Sequence, residues 1–377
     1  MTSMRKHFRL SDVHGVQQLA IEGTLGITRL VETLHRTILD LPAPAGKPRG
    51  GRTSGITGFV YDSVRGITRV VGAAADAVFG RLAPMDAQDG GSAQRETVLA
   101  VLNGVFGDRL AAMRNPLAIT MRVRKDGIAV PIERDALASA FTQADGIVVL
   151  LHGLCMNDHA WSREGHDHGA SLARDEGYAP VRVHYNTGRS LASNGRDLDR
   201  LLEALIGAWP HPIRRFAIVG HSMGGLVARA ACEVASLRPG SWLEQLDSLV
   251  FVGTPHRGAP LERAGAWVDY LVGISPYSAP FARLGRLRSA GIQDLRHGPR
   301  GALALPATVR AYAIAASLQP SAGKPGARVR GDGLVPVSSA LGVDVSSAQR
   351  WVAYGTSHLG LLSSQRVYER MRSWLGR

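Results

Sequence analysis

The sequence predicts an α/β fold with a mostly parallel central sheet and helices on both faces. Three observations predict it. The continuous apolar runs 146–151, 216–219 and 248–253 have the pattern of strands buried on both faces. Stretches with apolar residues at three- and four-residue steps lie between such runs, so strands alternate with crossover helices. The run Val219-Gly220-His221-Ser222-Met223-Gly224-Gly225 sets a G-x-S-x-G turn between a strand and a helix. There Gly220 and Gly224 permit a close approach and the serine oxygen is pushed clear of the backbone.

An apolar content of 45% and a charged content of 20% over 377 residues describe a globular chain, either one large domain with insertions or a core domain with an appendage. The net charge of +13 is carried by arginine, because Lys6, Lys47, Lys125 and Lys324 are the only lysines. Such a surface could favour anionic membranes or polyanions, but a compositional bias toward arginine is the favoured account. No nucleic-acid module is visible, and the aromatics do not interleave with a basic stripe. Cys155 and Cys232 form neither a disulfide framework nor a metal-ligand pair, and read as small buried hydrophobes. The N-terminus has positive charge without an apolar h-region, and no run of 18 apolar residues is present. The expectation is a cytoplasmic protein, soluble or peripheral to a membrane.

The chain opens with an amphipathic pattern over 11–41, then a Pro- and Gly-rich loop over 42–55, then a second stripe from Ile56 to Leu82. Gly26-Ile27-Thr28-Arg29-Leu30-Val31 and Gly66-Ile67-Thr68-Arg69-Val70-Val71 are near repeats, so residues 1–90 are expected to form an N-terminal helical hairpin. Its apolar face would pack on protein, or alternatively on a membrane or lipid surface. The linker 86–94 leads into a third helix from Glu96 to Met113 and a catalytic domain over 95–377. Strand patterns at 117–124 and 128–132 flank the turn signal Lys125-Asp126-Gly127. Further strands are expected at 146–151, 181–185, 216–219, 248–253, 308–315 and 351–354, with helices at 198–206 and 363–375. The stretch 260–306 is too long for a simple connection and is expected to be a lid or cap insertion.

A reactive serine needs a base, a group that holds the base, and donors for an oxyanion. Each is sought at the end of a strand. Of thirteen histidines, His358 follows the last predicted strand and precedes the final helix, the place of the base in the chain order Ser, acid, His. His221, inside the turn, reads as structural. His152 and His256 read as loop-ordering hydrogen bonders. His159, His166 and His168 with Asp158 and Asp167 form a polar cluster whose spacing fits no metal motif. Asp332, between Gly331 and Gly333, is the candidate acid, with Asp344 as the fallback. The oxyanion donors are expected to be the backbone N–H groups of Met223 and Leu154, with Cys155 next in line.

His152-Gly153-Leu154-Cys155-Met156-Asn157, the YNTG run from Tyr185, VGHSMGGLVAR from Val219, VGTPHRGAP from Val252, and GDGLVP from Gly331 with the later Ser357-His358 pair resemble the α/β-hydrolase superfamily. The closest likeness is to bacterial lipase and esterase proteins related to the GPI inositol-deacylase group, over about residues 117–377. The resemblance implies a Ser222, Asp332 and His358 triad with Leu154 and Met223 as oxyanion donors. The expected activity is hydrolysis of small-molecule or lipid carboxylic esters with no metal, no cofactor and no nucleic acid as partner. An acyltransferase or thioesterase would use the same triad. A lipid- or polyester-granule-binding protein with a vestigial triad is the reading from another class.

Overall fold

The computed structural model describes residues 12–25, 93–141, 144–259, 289–297, 308–322, 331–342 and 349–376. The chain forms two compact units. The first comprises Met1–Gln88 and Asn115–Leu117; within it residues 12–25 are helical. The repeated hexapeptides of the expected hairpin lie outside the described residues, as does Asp344.

The second unit, Asp89–Arg114 with Ala118–Arg377, holds the sheet. Its described elements run α1 (Ala93–Ala112), β1 (Arg122–Lys125), β2 (Ile128–Ala129), α2 (Arg134–Ala140), β3 (Gly146–Leu151), and a small ribbon of β4 (Ser162–Arg163) and β5 (His166–Asp167). There follow α3 (His168–Glu176), β6 (Tyr178–His184), α4 (Leu191–Ala208), β7 (Phe216–His221), α5 (Met223–Ala235) and β8 (Ser248–Val252). The chain ends with α6 (Ala290–His297), β9 (Arg310–Ser317), α7 (Val337–Ala340), β10 (Gln349–Tyr354) and α8 (Gln365–Leu375).

Eight strands lie in the order β10-β9-β8-β7-β3-β6-β1-β2. The six from β10 to β6 are parallel, and the β1–β2 hairpin closes one edge antiparallel. The central strands are buried at every position because both faces are covered: Gly146–Leu151, Phe216–His221 and Ser248–Val252 have no exposed residue. The connection from β3 runs to β6 on one side, and that from β7 runs to β8 on the other. β3 and β7 are adjacent, so the crevice beyond their C-terminal ends is a topological switch point, where open α/β sheets take ligands. Right-handed crossovers in opposite directions put α3 on one face and α4 and α5 on the other. Accordingly α4 packs along α5, and α3 against α8.

Local chemistry sets the element ends. Asp167 caps α3 by accepting from Ala170 N at 2.8 Å, and Gly177 ends it in the left-handed region. Ser190 caps α4 and Ser364 caps α8 through the N–H groups of Ser193 and Val367. The structure differs from the sequence reading at several boundaries. Residues 117–121 are not strand; β6 starts at Tyr178, before the expected Val181; α4 starts at Leu191, seven residues ahead of the apolar stripe that predicted it. Its first two turns bury Asn194 and Gly195, which carry no helical signature. Of the 260–306 insertion, residues 289–297 are described and contain α6.

Candidate active site

Ser222 sits between β7 and α5 with φ 52 and ψ −121, a conformation that a side chain seldom adopts. Ser222 N donates to Val252 O at 2.8 Å, which ties the turn to the end of β8. A Cβ on Gly224 would fall on Leu151 O and lie 2.7 Å from His152 O, so that helix α5 enters against the end of β3 only because position 224 lacks a side chain. The serine is thereby fixed at the switch point, at the N-terminus of α5, whose first backbone N–H belongs to Met223.

Asp332 and His358 lie on the loops after β9 and β10. Asp332 Oδ2 is 2.7 Å from His358 Nδ1, and His358 N donates to Asp332 O at 3.3 Å. The other carboxylate oxygen, Oδ1, accepts from Leu334 N at 2.9 Å and Val335 N at 2.7 Å. Both residues are buried, at 4% exposure each. One oxygen is held by the backbone and the other by the imidazole, which fixes Nδ1 as the protonated nitrogen and leaves Nε2 the basic one.

The loop of His358 is fastened to the elbow by His221. His221 Nε2 lies 3.2 Å from His358 O, and the two rings are 4.9 Å apart. Since the carbonyl can only accept, His221 Nε2 carries hydrogen. Burial, and then His358 nearby, hold the His221 pKa well below the ordinary histidine value. A Cβ on Gly253 would lie 3.2 Å from His358 Cε1, placing His358 beside the end of β8.

The loop after β3 is ordered by His152, as its place in the sequence suggested, together with Tyr185 and Thr187. His152 donates from Nδ1 to Gly153 O at 3.0 Å, while Nε2 accepts from Tyr185 N at 3.4 Å. Tyr185 stacks on the imidazole with 4.4 Å between ring centres and donates its hydroxyl to His152 O at 2.7 Å. Burial lowers the His152 pKa to about 4, so this link is neutral. Cys155 N donates to Thr187 Oγ1 at 3.1 Å. That bond occupies the amide held in reserve as an oxyanion donor.

Other expected roles divide. His152 orders its loop as anticipated, but His256 does not: neither of its ring nitrogens has a hydrogen-bond partner among the described residues, and it packs edge-on against Phe251. The polar cluster of 158–168 is taken apart by packing. Asp158 accepts from Arg124 Nη1 at 2.9 Å, Asp167 caps α3 and pairs with Arg182, and His168 donates to Leu361 O at 2.8 Å. His166 Nε2 then donates to His168 Nδ1 at 2.8 Å. Cys155 and Cys232 are both buried and unpaired, and burial raises both thiol pKa values above the reactive range.

A model of the PGAP1-like alpha/beta domain family matches residues 184–277, which contain the elbow with β7, α5 and β8. The described sheet has the architecture of an α/β-hydrolase fold. Its fold assignment rests on the sheet order with a serine elbow at the switch point. No curated protein matches the chain. Among solved structures it is similar to the mature form of the lipase BlEst2 from Bacillus licheniformis, at 17% identity over 62% of this chain and 93% of that one, with a TM-score of 0.44. It is similar to a thermophilic esterase from Thermogutta terrifontis at 15% identity over 62% and 91%, TM-score 0.40. The carboxylesterase CesB from Bacillus subtilis is similar at 12% identity over 74% and 98%, TM-score 0.40. Among the described residues of the α/β-hydrolase domain and the N-terminal unit, no helix is long and apolar enough to cross a membrane.

Proposed function

We propose that the chain is a cofactor-independent serine hydrolase that cleaves carboxylic esters with a hydrophobic acyl part. The observation that carries this reading is the 2.7 Å bond from His358 Nδ1 to Asp332 Oδ2 on the loops beside a strained Ser222. In the reaction Ser222 Oγ attacks the ester carbonyl carbon while His358 Nε2 takes the hydroxyl proton. The tetrahedral oxyanion is held by the N–H groups of Met223 and Leu154, the first of them at a helix N-terminus. Collapse breaks the bond to the alkoxy oxygen, which leaves with the proton from His358. Water then attacks the acyl-serine by the same route and releases the acid. Asp332 holds the imidazole tautomer and stabilises the imidazolium without taking the proton. The leucines and aromatics of the 260–306 insertion support a hydrophobic acyl group.

A fluorophosphonate probe tests the reading. Labelling requires an activated serine, so the full chain is expected to take one label at Ser222 and to hydrolyse p-nitrophenyl esters. Ser222→Ala is expected to lose both while keeping its unfolding midpoint within a few degrees. Equal ester turnover by Ser222→Ala would refute it.

A further inference from the structure

Helix α1 precedes the strand-and-helix succession of the sheet, yet it is built against the loops at the switch point. A Cβ on Gly104 would fall on Cys155 Sγ, with Cys155 Cα at 3.1 Å and Cβ at 3.2 Å. One turn on, a Cβ on Gly107 would fall on Asn186 Oδ1, and Asn186 Nδ2 donates to Gly107 O at 3.0 Å. The helix is fastened along its length. Glu96 Oε2 accepts from Arg124 Nη1 at 2.9 Å near its start, and Gly104 O accepts from Ser289 Oγ at 2.7 Å. Asp108 Oδ2 accepts from Ala290 N at 3.0 Å near its end.

Two glycines inside a helix each cost about 1 kcal/mol relative to alanine, so both positions answer a packing demand and not a helical one. What they pack on is unusual. Cys155 has φ 59, the left-handed region that a residue with a Cβ enters only under constraint from its surroundings. On one side its N–H is held by Thr187 Oγ1, and on the other its side chain is pressed by Gly104. The residue before it is Leu154.

We propose that α1 is a positioning element for the oxyanion loop: seated through Gly104, it holds Cys155 in the left-handed conformation and so aims the Leu154 N–H. This inference rests on the hydrolase reading and deepens it. An oxyanion donor acts on the transition state and little on the bound ester, so unseating α1 lowers kcat and leaves KM nearly unchanged.

The test uses the full chain and two readouts. Gly104→Ala is expected to lower kcat for p-nitrophenyl butyrate by about tenfold or more, with KM changed by less than about threefold. Cys155 and Cys232 are the only cysteines, so in a Cys232→Ala background the rate of reaction with Ellman's reagent reports on Cys155 alone. Cys155 is expected to react slowly with Gly104 in place and faster once Gly104→Ala is added. Adding Cys155→Gly removes the colliding atoms and suits a positive φ, so the double variant is expected to recover the kcat of Cys155→Gly alone. Unchanged kcat in Gly104→Ala, or a loss that Cys155→Gly does not restore, overturns the inference. Should Gly104→Ala fail to fold, Asn186→Ala removes the tether to Gly107 without adding bulk, and wild-type kcat in that variant overturns it equally. If the unaltered chain neither turns over esters nor labels at Ser222, the hydrolase reading falls and the catalytic role of α1 with it. The thiol reactivity still reports whether α1 seats the loop.

Discussion

Replacing Asp332 by Asn isolates what the carboxylate does for the imidazole. In the native site Oδ1 is held by Leu334 N at 2.9 Å and Val335 N at 2.7 Å, and Oδ2 faces His358 Nδ1 at 2.7 Å. An asparagine keeps its oxygen on the two backbone donors, because an amide nitrogen there would meet donors with a donor. Its NH2 group is therefore turned toward His358 and requires Nδ1 to accept. The proton then resides on Nε2, the nitrogen that takes the serine proton in the proposed reaction. A carboxylate facing an imidazolium at 2.7 Å is worth about 6 kcal/mol at an effective dielectric constant of 20, and that attraction is lost as well. Six kcal/mol corresponds to about 10⁴-fold in rate, the size of effect known when a triad histidine is put in the wrong tautomer. The fold should tolerate the change, since both backbone hydrogen bonds survive. The assay is kcat/KM for p-nitrophenyl butyrate at pH 8 beside a thermal unfolding scan. A decrease smaller than about tenfold with an unchanged midpoint would refute the assignment of Asp332 as the acid and the reasoning from its split hydrogen bonding.

Two further outcomes follow from strain and burial. Ser222 at φ 52 holds strain of about 1–3 kcal/mol that glycine would not feel, so Ser222→Gly is expected to be inactive yet to unfold at a higher temperature than Ser222→Ala; an equal or lower midpoint would argue against stored strain. Burial holds His152 and His168 neutral with pKa values lowered to about 4 from 6.5. The unfolded chain binds those protons first, so stability is level above about pH 6.5 and declines as pH falls toward 4, by up to about 3 kcal/mol for each of the two. His184 and His221 act in the same direction. Urea unfolding midpoints between pH 8 and pH 4.5 measure this, and a midpoint that stays constant from pH 7 to pH 5 would contradict it.

What could be read in the sequence was whatever local chemistry dictates. The runs at 146–151, 216–219 and 248–253 had to be buried strands because nothing polar interrupts them. The elbow announced itself through glycines that only a tight strand-to-helix turn requires, and positions 332 and 358 stood out because they follow the last two strands. Helix α3 escaped notice because HGASLARDE has no apolar stripe; its start depends on Asp167 accepting from Ala170 N, and His168 is buried by Leu361, far along the chain. Arg124 between Glu96 and Asp158 was equally illegible, since its partners are brought together by three separate elements. Gly104 and Gly107 carried no signal in the helical pattern of 96–113, and their purpose is visible only once Cys155 and Asn186 lie against them.

The position of β3 also bears on how the molecule comes into being. Its neighbours are β6 and β7, with Ile147 beside Ala179 on one side and Phe216 on the other, so the middle of the sheet cannot close until long intervening segments have been gathered in. The hairpin of β1 and β2 and the individual helices can form early from near neighbours. The crevice between β3 and β7 cannot, and Ser222, Asp332 and His358 stand on strand ends that are assembled only after β8, β9 and β10 have joined the same sheet. During refolding the helical signal should therefore return well before the proposed esterase activity, and a chain arrested part-way would carry Ser222, Asp332 and His358 on strands not yet assembled.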